Sequence, residues 1–388
     1  MKIVIAPDSF KESLSACEVA EAIAAGFKPI FPDACYVLLP MADGGEGTVA
    51  ALVAATAGRE VSVTVTGPLG EPVQATFGLL GKGLPGQGRP GGGQSAVIEM
   101  AAASGLQLVA PERRNPRLTT TYGTGELIRA ALDLGVEELI FGIGGSATND
   151  GGAGMLAALG ARLLKADGSE LEPGGAALAE LARIDLSALD PRLQAVRIRV
   201  ACDVDNPLCG PLGASAIFGP QKGATADMVA ELDLALANYA RCIEQLTGRQ
   251  ISATPGAGAG GGIGAAFVAL LGARLEPGIE LVMTALDLAS AVADADLVIT
   301  AEGRLDGQSR AGKTPVGVAR CAKRFGKPVI AIGGALGEGS ELLYAEGIDA
   351  MFAALPAIMT LEQALGSARK NLTRTARDVA VLWQLARR

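Results

Sequence analysis

Residues 1–40, MKIVIAPDSFKESLSACEVAEAIAAGFKPIFPDACYVLLP, hold the pattern that decides the fold. Residues 3–7 read as a strand. Ser15-x-x-Glu18 is a capping box, and Val19, Ile23 and Phe27 recur at helical spacing behind it. Cys35–Pro40 supplies a second strand. Strand, helix and strand in this order open a parallel sheet of the α/β class. Met41-Ala-Asp-Gly-Gly-Glu-Gly-Thr48 and a short helix follow, so the first 60 or so residues read as βαβα.

Outward from that unit the pattern changes and then returns. Glu60–Thr66 and Val73–Leu80 read as paired strands around Gly-Pro-Leu-Gly, followed by a glycine-rich stretch at Gly81–Gln94, expected to be a surface loop, and a strand at Ala96–Met100. A helix over Thr124–Leu134 and strands over Glu138–Ile143 and Val196–Ala201 continue this region. From about residue 285 the alternation resumes, with strands at Leu297–Ala301, Pro328–Ile332 and Ala350–Leu355. One helix there is capped by Thr314 with Pro315 at its first position, and a long final helix is capped by Thr360-x-x-Gln363. The expected architecture is a two-domain α/β protein. A discontinuous, Rossmann-like parallel-sheet domain (1–60 and 286–388) carries an inserted α/β domain (61–285), with the active site in the interdomain cleft.

Composition removes whole classes of function. The 388 residues contain no apolar run near the ~20 needed to span a bilayer, and the N-terminus lacks a signal peptide, so a cytoplasmic enzyme is expected. With 33 basic against 41 acidic residues and no basic run interleaved with aromatics, a nucleic-acid partner is not expected. The six cysteines are scattered without C-x-x-C spacing and read as buried thiols. Histidine is absent, which leaves proton transfer to carboxylates, lysine, tyrosine, cysteine or water.

Four acidic or glycine-rich loops follow strands, where open α/β sheets bind ligands: Asp8-Ser9-Phe10-Lys11-Glu12, Asp43 to Gly47, Asp203-Val204-Asp205, and Glu302-Gly303-Arg304-Leu305-Asp306. Each alone is also what turns and helix caps look like. Together they offer carboxylates for a divalent ion and cations for phosphates, the parts that phosphoryl transfer needs. Two segments could cradle phosphates on backbone amides, Pro255 to Gly264 and Gly142 to Ala147. Both also match a dinucleotide fingerprint, and the second has Asp167 downstream after a possible strand at Arg162–Lys165. A nicotinamide-dependent oxidoreductase on a hydroxy acid therefore stays open, as does a non-catalytic sensor of a sugar acid. Gly307 to Thr314 satisfies the P-loop expression, but Glu302 to Asp306 separate it from its strand and Pro315 disfavours the required geometry.

Read in order, MKIVIAPDSFKESLSA at 1–16, ADGGEGT from Ala42, GIGGSATNDGGAGM from Gly142, CDVDNPL from Cys202, FGPQKGA from Phe218, PGAGAGGG from Pro255 and LVITAEGRLDGQS from Leu297 resemble the bacterial glycerate kinase family over nearly the whole chain. Ala301 departs from the glycine usual there, and Gly81–Gln94 is an insertion. The resemblance implies transfer from ATP, with Mg²⁺, to D-glycerate, commonly giving 2-phosphoglycerate. On that basis Asp8, Ser9, Lys11, Arg304 and Asn149 are expected to bind substrate, with Asp43 at the acceptor hydroxyl. Asp203, Asp205 and Asp306 are expected on the metal or its waters. Gly256, Gly258, Gly260, Gly261 and Gly262 are expected on the nucleotide phosphates. Lys11, Asp43, Asp203 and Arg304 are the catalytic candidates; partners are glycerate and ATP, with homo-oligomerisation left open.

Overall fold

The computed structural model describes residues 1–45, 47–81, 93–310 and 312–387. The glycine-rich stretch expected as a surface loop falls mostly outside the described residues. Five strands form one wholly parallel sheet in the order Ala350–Ala353, Val329–Leu336, Leu297–Leu305, Lys2–Ile5, Cys35–Leu38. The N-terminal unit and the tail thus meet as neighbours, Ile3 opposite Leu297. Strand order runs one way from Lys2–Ile5 and the other way from Leu297–Leu305, so the switch point lies between them, where ligands of such sheets bind.

The segment between these halves builds a six-stranded sheet in the order Arg274–Glu276, Arg197–Ala201, Glu138–Gly142, Ser95–Glu99, Pro72–Leu79, Arg59–Thr66. The last two form the expected hairpin, while the first four run parallel. Arg162–Leu164 joins neither sheet. It pairs antiparallel with Arg183–Asp185, and Asp167 beyond it is exposed and bound by Ser169. That geometry removes the βαβ context the dinucleotide fingerprint at Gly142 requires.

Helix Ala16–Phe27 starts at its expected box, Ser15 Oγ accepting from the Glu18 amide and Glu18 accepting from the Ser15 amide, an arrangement worth about 1 kcal/mol. It packs on the C-terminal helix Ala368–Ala386 at Gly26, where an added Cβ would lie 2.7 Å from the Ala376 Cβ, so only glycine permits the approach. On the other face, Val4, Ala6 and Val298 of the parallel sheet share one buried cluster with Val97, Ile140 and Ala201 of the six-stranded sheet. Helix Gly278–Ala285 contributes Ile279, Leu281 and Val282 to it. Full burial of such side chains is worth about 1.5–3 kcal/mol each.

Three boundaries differ from expectation. The strand from Leu297 runs on to Leu305 because Glu302 and Arg304 pair with Gly333 and Ala335. Lys313, not Thr314, caps helix Thr314–Lys323, which puts Pro315 at its second position. The final helix, boxed by Thr360 and Gln363, breaks at Ser367. Cys242 and Cys321 are buried as expected, whereas Cys35 on the sheet edge is exposed. No helix among the described residues is long and apolar enough to cross a membrane.

Candidate active site

A cleft of about 1530 Å³ opens at the carboxyl ends of strands of both sheets. Asp8 to Ser15 follow the first strand of the parallel sheet, and Glu302, Arg304 and Asp306 lie at the end of its neighbour across the switch point. From the six-stranded sheet, Ile143 to Ser146 follow Glu138–Gly142, and Cys202 to Val204 follow Arg197–Ala201. Asp43 to Gly45 lie between the two groups, Gly44 packing against Ala201.

Two carboxyls sit at the switch point. Asp8 accepts from the Ser9 amide at 2.7 Å and from the Thr314 hydroxyl at 2.7 Å; burial pushes its carboxyl up against the lowering pull of those bonds, and the negative charge of Asp43 adds to the rise. Glu302 accepts from Ser309 Oγ at 3.0 Å and pairs with Lys313 Nζ at 3.1 Å; burial again raises it, the Lys313 charge opposing. Facing them, Asp203 accepts from the Gly278 amide at 2.9 Å, and its carboxyl is raised by desolvation and by Asp43. Asp43 therefore lies between Asp8 and Asp203 electrostatically, and among the described residues neither Asp43 nor Asp203 has an ion-pair partner. The cations are Lys11, exposed and without an ion pair among the described residues, Arg304, paired with Asp306 at 3.0 Å, and Lys313 and Lys222.

Of the residues expected from sequence, Asp8, Ser9, Lys11, Asp43, Asp203, Gly260, Arg304 and Asp306 line this cleft. Asn149 does not: its side chain is fully buried, donating to Ser215 Oγ at 2.9 Å. Asp205 is exposed outside the cleft, and Asp306 is engaged by Arg304, so Asp203, Asp205 and Asp306 are not brought to one point. No group of three or more such ligands close enough to hold a metal occurs among the described residues.

The Gly256–Gly262 segment is largely tied into the fold. Its amides at Ala257, Gly258, Ala259 and Gly262 are spent on Thr254, Asn206, Gly256 and Gly258 carbonyls, and Gly258 and Gly261 are buried where a Cβ would collide with Pro207 and Thr148 carbonyls. Close backbone packing accounts for Gly258 and Gly261, and of the five glycines expected on the nucleotide phosphates Gly260 lines the cleft. At the P-loop-like segment the strand ends at Leu305, so distance from the strand is not what disqualifies it. The amides of Gly307, Gln308 and Ser309 are occupied by Glu338, Asp306 Oδ1 and Asp306 carbonyl.

Sequence reasoning passed over two groups. For Glu302 the signal in the sequence is the alternation Glu302, Gly303, Arg304, which along a strand sets both charged side chains on one face. Lys222, in Phe-Gly-Pro-Gln-Lys, gave no sign of its burial, because a lysine in a turn ordinarily points to water.

A sequence model of the Glycerate kinase family matches residues 3–384. The chain is 57% identical over 387 residues to "Glycerate kinase" of Bacillus subtilis (strain 168), covering 100% of this chain and 99% of that one. It is 56% identical over 380 residues to "Glycerate 2-kinase" of Escherichia coli (strain K12), covering 98% and 97%. The solved structure named for glycerate kinase 2 of Salmonella typhimurium LT2 matches at TM-score 0.90 and 57% identity, over 100% of this chain and 99% of that one.

Proposed function

The chain belongs to the glycerate kinase family, and from that premise we propose that it transfers the γ-phosphoryl group of ATP to the 2-hydroxyl of D-glycerate, releasing 2-phosphoglycerate and ADP. The observation that carries the reading is the meeting, in one cleft, of unpaired carboxylates at Asp43 and Asp203 with the cations Lys11, Arg304 and Lys222. Glycerate has an anionic head and no leaving group of its own, so the protein must hold that anion, screen it from the polyphosphate and aim one hydroxyl in line.

Lys11 and the Arg304 fork suit the substrate carboxylate, and Asp8 and Ser9 beside them suit its hydroxyls. Asp43, between Asp8 and Asp203, orients the attacking hydroxyl and takes its proton as the new O–P bond forms and the bond to ADP breaks. A divalent ion fits beside Asp43 and Asp203, since the Asp43 charge raises the Asp203 carboxyl and neither has an ion-pair partner among the described residues. Mg²⁺ held there with the nucleotide would supply charge neutralisation on the phosphates. Residues 1–60 with 286–388 form one lobe and 61–285 the other in this account, the substrates meeting between them in a cytoplasmic enzyme.

The test is ADP release that depends on D-glycerate, with nicotinamide absorbance followed in parallel using hydroxy acids. Glycerate-independent ATP hydrolysis alone, or a nicotinamide signal, would refute the proposal.

A further inference from the structure

Lys222 is only 2% exposed, yet it forms part of the cleft wall. Its ammonium donates to Ser146 Oγ at 2.7 Å and to the Thr148 carbonyl at 2.6 Å, both neutral acceptors. No carboxylate pairs with it among the described residues. The charged group that acts on it is Asp150, whose carboxylate is itself fully buried and already accepts from Thr121, Gly152 and Gly154. Burial pushes the Lys222 amine down to about 7 against the opposing charge of Asp150, which makes no direct contact with it.

What lies beside this ammonium is built for an anion. Gly144 and Gly145 are exposed on the cleft wall, and an added Cβ at Gly144 would meet nothing within 4 Å. Gly145 has φ +70°, a conformation glycine adopts without strain. Among the described residues the amides of Gly144, Gly145 and Ser146 donate to no protein acceptor, and Ser146 Oγ, accepting from Lys222, keeps its own proton to donate. Consecutive free amides with a compact ammonium match tetrahedral phosphate oxygens; a flat carboxylate is better served by the fork of an arginine.

We propose that Lys222, the Ser146 hydroxyl and the Gly144–Ser146 amides form the subsite that holds the terminal phosphates of the nucleotide, Lys222 being a catalytic residue of the transfer. The assignment rests on the phosphotransfer reading above. In this role the third ammonium proton faces the transferring group and offsets the charge that spreads over its oxygens.

The experiment uses the full chain with Lys222→Met and Ser146→Ala, reading calorimetric dissociation constants for AMP, a non-hydrolysable ATP analogue and D-glycerate, plus thermal melts. Lys222→Met is expected to weaken the ATP analogue on the order of tenfold or more and to lower kcat by about 100-fold, with AMP and glycerate within about twofold. Its melting temperature should stay near the parent's, because relief of a buried charge offsets the donor lost to Ser146 and Thr148. Ser146→Ala is expected to weaken the analogue a few-fold. Equal losses for AMP and the analogue, a loss confined to glycerate, or no loss at all would overturn the assignment. If Lys222→Met does not fold, the wild-type chain decides: an adenosine polyphosphate ending in a pyridoxal aldehyde, trapped by borohydride, should mark Lys222 in an ATP-protected manner, and label confined to other lysines overturns it. Wild-type ADP release with glycerate is measured alongside. Its absence together with a selective loss of the analogue would sink the kinase reading and leave the phosphate subsite standing.

Discussion

Replacing Asp203 by asparagine separates a catalytic carboxylate from a capping one. The structural job of Asp203 is one bond, Oδ1 accepting from the Gly278 amide at 2.9 Å at the start of helix Gly278–Ala285. Asparagine keeps an oxygen for that bond, whose outright loss would cost about 0.5–2 kcal/mol. It also removes a charge that desolvation and Asp43 both disfavour, so the folded state should hold or gain stability. On the proposed mechanism, the chemistry loses a charge that would hold the divalent ion beside the transferring group. Loss of one such electrostatic group lowers kcat about 100-fold, equivalent to about 2.7 kcal/mol of barrier. The assay is glycerate-dependent ADP release per folded molecule, with a thermal melt of the same preparation. A variant that melts well below the parent but turns over normally would show Asp203 to be only a cap.

Thr314→Val removes the 2.7 Å bond to Asp8 Oδ2, one of the influences holding that carboxyl down, so the Asp8 pKa rises further. Since the carboxylate is the working form, the acid limb of the pH–rate profile should move to higher pH; an unmoved limb would remove Asp8 from the mechanism. Asn149→Ala leaves buried Ser215 without its 2.9 Å donor and should cost about 1–3 kcal/mol in denaturant melts with the KM for glycerate unchanged. A raised KM with unaltered stability would return Asn149 to the substrate. Exhaustive chelation should abolish turnover and Mg²⁺ should restore it, whereas full activity in the chelator would contradict a metal at Asp43 and Asp203.

The parallel sheet was legible because its strands and boxed helices are local patterns: the Ser15 and Thr360 boxes and the first strand stand where periodicity puts them. Register between Lys2–Ile5 and Leu297–Leu305 joins segments nearly 300 residues apart, and only the resumed alternation hinted at it. That Asp8, Asp43 and Asp203 line one cleft follows from their place on loops after strands, since the ends of strands are where a sheet opens toward ligands. The glycine segments could not be ranked from sequence, since free amides and close backbone packing demand the same residue. The occupied amides around Gly258 and the open ones at Gly144 and Gly145 distinguish them. The burial of Asn149 and Lys222 is not legible in the sequence for one reason, that it depends on partners distant in the chain, Ser215 for the first and Ser146 with Thr148 for the second.

The central claim is tested most directly by phosphorus NMR of the products formed from ATP and D-glycerate by the wild-type chain. The account predicts ADP and 2-phosphoglycerate appearing together in equal amounts. Product carrying its phosphate on the 3-hydroxyl would contradict the proposed alignment of the acceptor, and ADP without any phosphorylated glycerate would contradict the transfer itself.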